Sequence, residues 1–240
     1  MAVRLLTNAP DRSPEWHTAR ARRVGGSDIG VIMGYSPFQT YDGLIDAKLG
    51  LVAPRETTGP LERGVFLEDG IRNWLVQKES LELDLEKSNG MWVWEENDRF
   101  HYSPDGVTTD GHLVEIKCPE FRDEEHGWGR QGRNSDKIPI YYRAQVVWGM
   151  GLFGAPYKKT WVGALSAKPR FEFARYRVSF TKENQYAFEV FQERALRFLE
   201  DLDQREAAVR SKLGIPEDVD PPFWSWLSSN PESEREGIAA

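Results

Sequence analysis

Cysteine is nearly absent from this chain of 240 residues, which carries only Cys118. A single cysteine forms no disulfide within the chain and cannot build the cysteine-rich sites that hold zinc or iron–sulfur clusters. A metal ion in this protein would therefore be held by oxygen, with histidine as the other choice. We expect Cys118 itself to be buried and inert.

Long apolar segments and excess positive charge are also missing. No run reaches the roughly 18 residues that span a bilayer, and the opening MAVRLLTNAPDRSPEW turns polar too early for a secretion signal. We therefore expect a cytoplasmic protein with no membrane partner. The net charge of −7 argues against nonspecific nucleic-acid binding driven by overall charge, although a local basic groove remains compatible with it.

The composition, 40% hydrophobic with nine Trp and twelve Phe, is typical of a folded protein with a sizeable core. We predict one domain over 1–212 and a tail rich in proline and acid over 213–240. The patterns predict helices at 14–22, 27–34, 40–49, 60–79, 138–151 and 182–211, strands at 91–95, 107–109, 113–118, 157–166 and 171–179, and loops at 52–60 and 120–137. This order indicates an α/β fold in which helices cover a mixed sheet. Trp224 and Trp226 of the tail could dock on this subunit or on a neighbour.

The segment HYSPDGVTTDGHLVEIKCPE, residues 101–120, carries the chemistry. Glu115 and Lys117 are two residues apart on a predicted strand and therefore share a face. With Asp105 they form a set suited to Mg²⁺, because two carboxylates can hold the ion while a lysine orients or deprotonates an attacking water. By itself, however, Glu-x-Lys on a strand is typical of an ordinary solvated face.

The turn between the two strands tests this grouping. A tight two-residue turn would leave Asp105 and Glu115 on opposite faces of the hairpin. One extra turn residue, His112, with Gly111 at positive φ, would pair Asp105 with Lys117 and bring all three groups to one face. The metal hypothesis therefore predicts the longer turn or a kink directly after Asp105.

The motif SPDG followed by EIKCP resembles the PD-(D/E)xK nuclease signature, and in particular that of lambda-type exonucleases and their YqaJ-like viral recombinase relatives. The resemblance extends to EWHTARARRVGGSDIGVIMG, RGVFLEDGIRNWL and YYRAQVVWGM, which together cover about residues 15–200. It implies a restriction-endonuclease-like core, with a central mixed β-sheet flanked by helices, and makes 1–212 a PD-(D/E)xK exonuclease domain.

The resemblance also implies a function. Such enzymes are Mg²⁺-dependent 5′→3′ exonucleases that degrade one strand of linear double-stranded DNA from a 5′-phosphorylated end, leaving 3′ overhangs for a single-strand annealing protein. It further implies two metal ions, with Mn²⁺ able to substitute, a homotrimer, and a phage or prophage origin in a bacterial host. The alternatives are a structure- or site-specific endonuclease of the same fold, and a DNA-end-binding subunit without catalysis.

The resemblance carries over onto ten residues of this chain. It assigns the metal to Asp105, Glu115, Glu68 and the backbone carbonyl of Ile116, catalysis to these three carboxylates with Lys117 and Gln145, and the 5′-phosphate or DNA to Arg20, Ser27, Ser103 and Tyr142.

Four of these residues have plainer readings. Glu68 could pair with Arg72 four residues on, and Gln145 could satisfy a buried backbone group. Ser27 could only cap its helix, and Arg20 could only pack on the neighbouring tryptophan and pair with an acid.

Overall fold

The computed structural model describes residues 2–10, 12–52, 59–88 and 90–230, so the predicted loop at 52–60 lies largely outside the described residues. The strands are β1 (Val3–Thr7), β2 (Met91–Trp94), β3 (Asn97–Tyr102), β4 (Gly106–Val107), β5 (Leu113–Lys117), β6 (Lys159–Ser166) and β7 (Glu172–Ser179). The helices are α1 (Pro14–Ala21), α2 (Gly26–Ile32), α3 (Tyr41–Leu49), α4 (Gly59–Glu79), α5 (Ile140–Phe153), α6 (Lys182–Leu213) and α7 (Trp224–Ser229).

The strands form two sheets. One is antiparallel in the order β1-β2-β3, and the other has the order β4-β5-β6-β7. In the second sheet β5 and β6 run parallel while the outer pairs are antiparallel. The parallel pair is connected through α5, since parallel strands need a long crossover. The predicted α/β fold with a mixed sheet is therefore confirmed.

Helices cover both faces of the mixed sheet. On one face, Ile71 and Leu75 of α4 pack against Val114 and Ile116 of β5. On the other face lies the larger core, which includes α5 and the predicted apolar stripe of α6. Because successive strand residues point to opposite faces, this arrangement turns Glu115 away from α4 and toward α5.

Three elements were not predicted from the sequence, namely β1, β3 and α7. The strand β3, NDRFHY, lacks regular alternation, because its first half is polar and its last three residues are all buried. The tail helix α7 docks on this chain, with Phe223 fully buried and its amide donating to the carbonyl of Leu49 at 2.8 Å. Trp224 donates from its indole to the carbonyl of Val52 at 2.9 Å.

Two smaller expectations can also be compared with the fold. Cys118 is partly exposed, so the expectation that it is buried is wrong; it lies just past the end of β5 and packs only partly against the smaller core. Within the described ranges, no helix combines the length and the apolar character that crossing a bilayer requires.

Candidate active site

The turn between β4 and β5 has the extra residue that the metal hypothesis requires. The ladder pairs Gly106 with Val114 and Val107 with Leu113. The amide of Thr108 donates to the carbonyl of His112 at 2.8 Å, which leaves three residues, 109–111, in the loop. Gly111 has φ 82°, as predicted. The tight two-residue turn is therefore excluded.

The position of the extra residue differs from the prediction. The Thr108 hydroxyl accepts from the amide of His112 at 2.8 Å and donates to Asp110 at 2.5 Å. These bonds close the loop between Thr108 and His112, so Thr109 and not His112 is the added residue. The predicted pairing of Asp105 with Lys117 is consequently wrong.

Asp105 forms two hydrogen bonds to β5 directly before β4 begins. Its amide donates to the carbonyl of Val114 at 3.1 Å, and its carboxylate accepts from the amide of Ile116 at 2.5 Å. The carboxylate is thereby brought so close to Glu115 that the charge of Glu115 helps to raise its pKa. The predicted juxtaposition of Asp105 and Glu115 exists, although through a different register.

Glu115 is the centre of a buried cluster, with only 2% of its surface exposed. One carboxylate oxygen accepts from the Tyr102 hydroxyl at 2.6 Å. The other accepts from the Gln145 amide at 2.5 Å and from the Lys117 ammonium. The ammonium also lies 5.0 Å from the centre of the Tyr142 ring. Four predicted site residues therefore meet here, together with Tyr102, which the sequence did not reveal.

The acidic groups of this cluster outnumber its basic group. Burial and the neighbouring Glu115 raise the pKa of Asp105 well above its usual value. Burial opposes the charged form of Lys117, but the carboxylates of Glu115 and Asp105 outweigh it and raise the lysine pKa. Two carboxylates thus share one ammonium, and a cation would relieve their repulsion.

The cluster offers oxygen ligands of the kind that a divalent cation needs. Asp105 lines a cavity of about 300 Å³ together with Glu68 and Ser103. Glu68 lies 3.6 Å from Arg72, which also donates to the backbone carbonyl of Asp105 at 3.0 Å. Among the side chains that the structure describes, no group of three or more acidic, His or Cys residues is arranged to hold a metal ion. The charges of Glu115 and Glu68 both lie near enough to Asp105 to add to the effect of burial and raise its pKa, so these three carboxyl groups are the candidate ligands of a cation.

Arg20 and Ser27, assigned to the phosphate, also lie together. The Arg20 guanidinium donates to the Ser27 hydroxyl at 3.0 Å. Its central carbon lies 4.4 Å from the centre of the Trp16 ring, and one of its nitrogens lies 3.4 Å from the Asp28 carboxylate. The structural interpretation of Arg20 also holds, because its guanidinium packs on Trp16 and pairs with Asp28. These contacts hold the guanidinium beside Ser27.

Behind Arg20 is a buried ion pair that the sequence did not reveal. The Lys48 ammonium lies 2.8 Å from the Asp28 carboxylate and donates to the carbonyls of Arg20 at 3.2 Å and Arg23 at 2.5 Å. Asp28 also accepts from the Gly25 amide at 2.8 Å. Burial alone would raise the pKa of Asp28, but Lys48 and Arg20 lower it to about 2. One carboxylate here faces two cations, so the net charge is positive.

The two clusters adjoin through consecutive residues of β3 and of the N-terminus of α2, namely its cap Gly25 and its first residue Gly26. A Cβ atom on Gly25 would lie 2.5 Å from the His101 ring, and one on Gly26 would lie 2.8 Å from the Tyr102 ring. His101 is electrostatically close to Asp28, while Tyr102 bonds Glu115. The glycine pair was the one signal in the sequence for this close contact.

The fold and the arrangement of these side chains together identify a structural class of proteins. An acidic pair with a lysine at the end of two strands of a mixed sheet, flanked by helices, is the arrangement of the restriction-endonuclease-like fold. The chain matches the YqaJ-like viral recombinase domain over residues 15–156 and belongs to that family.

Solved structures show the same fold. The alkaline exonuclease LHK-Exo from Laribacter hongkongensis, in its complex with dAMP, is similar with a TM-score of 0.64 and 18% identity over 84% of this chain and 98% of that one. A phage-related exonuclease from Haemophilus somnus 129PT is similar with a TM-score of 0.53 and 13% identity over 76% of this chain and 96% of that one. No curated protein matches the chain significantly in sequence.

Proposed function

We propose that this protein is a Mg²⁺-dependent 5′→3′ exonuclease that degrades one strand of linear double-stranded DNA from a 5′-phosphorylated end. The observation that carries the proposal is the meeting of Asp105, Glu115 and Lys117 in one buried cluster, where two acidic groups face one ammonium. Membership of a viral recombinase family and the likeness to two proteins named as exonucleases support it.

In this proposal Asp105 and Glu115 hold the metal, which the Ile116 carbonyl and Glu68 complete. A bound divalent cation supplies the positive charge that lowers the pKa of a water and stabilises the transition state of phosphodiester hydrolysis. Mg²⁺ suits oxygen ligands, and Mn²⁺ can take its place. A second ion is expected from the family resemblance.

Lys117 orients the attacking water as an ammonium, because the neighbouring carboxylates raise its pKa and keep it protonated. Its ammonium is held by Glu115 and by the face of Tyr142, so its position is fixed before substrate arrives. A cation fixed at this point also offsets negative charge that develops on the phosphate. Gln145 is neutral, so it directs the Glu115 carboxylate without cancelling its charge.

Arg20, Ser27 and Ser103 receive the terminal 5′-phosphate, and Tyr142 lies beside the scissile group. The Arg20 guanidinium and the Ser27 hydroxyl already lie within hydrogen-bonding distance of each other, so one phosphate can contact both. Asp28 and Lys48 stay behind them and leave the pocket with net positive charge, which favours an anion.

The product strand with a 3′ overhang passes to a single-strand annealing protein, and the active form is a homotrimeric ring. A ring explains how an acidic chain, with a net charge of −7, could stay on DNA, because topology and not charge retains the substrate. Mass photometry under conditions of activity should give three times the mass of one chain. A monomer that digests DNA at full rate would contradict the ring.

The proposed activity is tested with three substrates in Mg²⁺, namely linear duplex with 5′-phosphate ends, the same duplex with 5′-hydroxyl ends, and covalently closed circular duplex. We expect rapid shortening of the first, slower shortening of the second, an intact circle, and no digestion with chelator. A cut circle would indicate an endonuclease. Binding of linear duplex without any shortening would indicate a non-catalytic end-binding subunit.

A further inference from the structure

Tyr102 is a buried tyrosine that neither the SPDG nor the EIK motif includes. It is the last residue of β3, and only 1% of its surface is exposed. Its hydroxyl donates to a carboxylate oxygen of Glu115 at 2.6 Å. A buried hydroxyl with a charged acceptor at this distance forms one of the stronger hydrogen bonds in proteins.

Two glycines make room for the Tyr102 ring. A Cβ atom on Gly149 of α5 would lie 2.5 Å from the ring, and one on Gly26 of α2 would lie 2.8 Å from it. Neither distance is compatible with a side chain, so both helices approach the ring with bare backbone. Packing from both sides therefore fixes the direction in which the hydroxyl points.

The donors around Glu115 leave room for one more partner. A carboxylate has about four lone-pair positions. Tyr102 takes one on one oxygen, while Lys117 and Gln145 take two on the other. The remaining position is on the oxygen that Tyr102 holds. Because Tyr102 and Gln145 are neutral, they orient the carboxylate and leave its charge available.

We propose that Tyr102 is a positioning residue that holds the Glu115 carboxylate in the orientation in which it binds the divalent cation. The inference rests on the proposed function, since it assumes that Glu115 is a metal ligand. Hydrogen bonds to metal ligands commonly change metal affinity by about 10- to 100-fold when they are removed. We expect an effect of this size on cation affinity and a much smaller one on the rate at saturating cation.

Tyr102→Phe removes the hydroxyl and keeps the packed ring. Mn²⁺ binding to the DNA-free protein, measured by titration calorimetry, should weaken about 10- to 100-fold. The Mg²⁺ concentration for half-maximal digestion should rise by a similar factor, while the rate at saturating Mg²⁺ recovers to within a few-fold of the original.

Two further variants make the result decisive. Tyr41→Phe removes another tyrosine bond to a carboxylate, that to Asp201 at 2.6 Å, outside the cluster, and should leave Mn²⁺ affinity unchanged. Glu115→Gln should abolish the calorimetric signal. An original protein that binds no Mn²⁺ would refute the proposed metal site itself. If the original protein binds Mn²⁺ and Tyr102→Phe binds it with the same affinity, the positioning role of Tyr102 is overturned and the metal site remains.

Discussion

Two buried clusters of this protein have similar components and opposite charge. In one, the carboxylates of Asp105 and Glu115 share the ammonium of Lys117, and the pKa of Asp105 is raised by burial and by Glu115. In the other, the single carboxylate of Asp28 faces Lys48 and Arg20, and these cations lower its pKa to about 2 despite burial.

The difference separates a site that lacks a cation from one in which the chain supplies two cations for one carboxylate. A buried aspartate with enough cationic neighbours is ionised and stabilises the fold. A buried aspartate beside another carboxylate is held at a cost that a bound cation can remove. Asp105 belongs to the second kind, which is typical of functional sites.

The largest expected effect is on catalysis in the negative cluster. Lys117→Ala should slow digestion of 5′-phosphorylated duplex by about 100- to 1,000-fold, the range that the loss of one positioned donor to developing charge costs. Circular dichroism and DNA binding in the presence of chelator should show that the fold and the binding of DNA remain. Substantial remaining activity would move the water-orienting role to another residue.

In the positive cluster of Asp28, Lys48 and Arg20, removal of the carboxylate charge should destabilise the fold. Asp28→Asn leaves the Lys48 ammonium buried without its counter-ion and should lower the free energy of unfolding by about 3–5 kcal/mol. Chemical denaturation at neutral pH measures this. The control Asp203→Asn, which weakens the exposed pair with Arg99, should cost about 1 kcal/mol or less. Equal losses in the two variants would show that the Asp28 pair is not special.

The pH dependence of stability should follow from the same carboxylate. The pKa of Asp28 is about 2 in the folded protein against a usual 3.8, so its ionised form contributes about 2 kcal/mol to stability. A lowered pKa means that this contribution is complete above about pH 4 and is lost as pH falls through 2. The stability difference between the original protein and Asp28→Asn should therefore shrink on acidification from pH 5 to pH 2.5. A constant difference would contradict the assignment.

The free energy of unfolding should change in the opposite direction when the matching Asp→Asn substitution is made in the negative cluster of Asp105, Glu115 and Lys117. Asp105→Asn removes one of two repelling carboxylates and keeps an oxygen for the amide of Ile116. In chelator at pH 7 it should raise the free energy of unfolding, because one of two neighbouring buried acidic groups is lost, while abolishing digestion. A variant that is less stable than the original protein would show that Asp105 is a structural and not a functional carboxylate.

The smallest effect on digestion is expected at the proposed phosphate site of Arg20 and Ser27. Arg20→Ala should reduce the preference for a 5′-phosphate over a 5′-hydroxyl by about tenfold, because a charge-assisted hydrogen bond to phosphate is lost. Arg197→Ala, which removes an exposed arginine paired with Glu193 on α6, is the matched control and should keep the preference. An unchanged ratio for Arg20→Ala would remove this residue from the pocket.

The strand β5 was predictable because its pattern is local. Two-residue spacing placed Glu115 and Lys117 on one face, and Gly111 marked a turn that needs positive φ. The register was not predictable, because it depends on the Thr108 side chain closing the loop onto His112. A threonine at that position is compatible with either register by propensity alone.

The positive cluster and the contact of Tyr102 with Glu115 could not be predicted, because their partners are far apart in the chain. Lys48 is one of several charged residues near the end of α3 and resembles a solvent-exposed lysine until α1 and α2 close over it. Tyr102 lies in β3, whose polar first half lacks the alternating pattern by which a strand is recognised from sequence. Only the tertiary fold brings it to Glu115, thirteen residues away.

The central claim is that the negative cluster binds a divalent cation while the positive cluster binds the terminal phosphate. The most direct measurement is anomalous scattering from Mn²⁺ in crystals of Lys117→Ala with a 5′-phosphorylated duplex. We predict a peak within coordination distance of both Asp105 and Glu115, and the terminal phosphate on Arg20 and Ser27. A cation bound elsewhere, or no cation with the phosphate away from Arg20, would contradict the account.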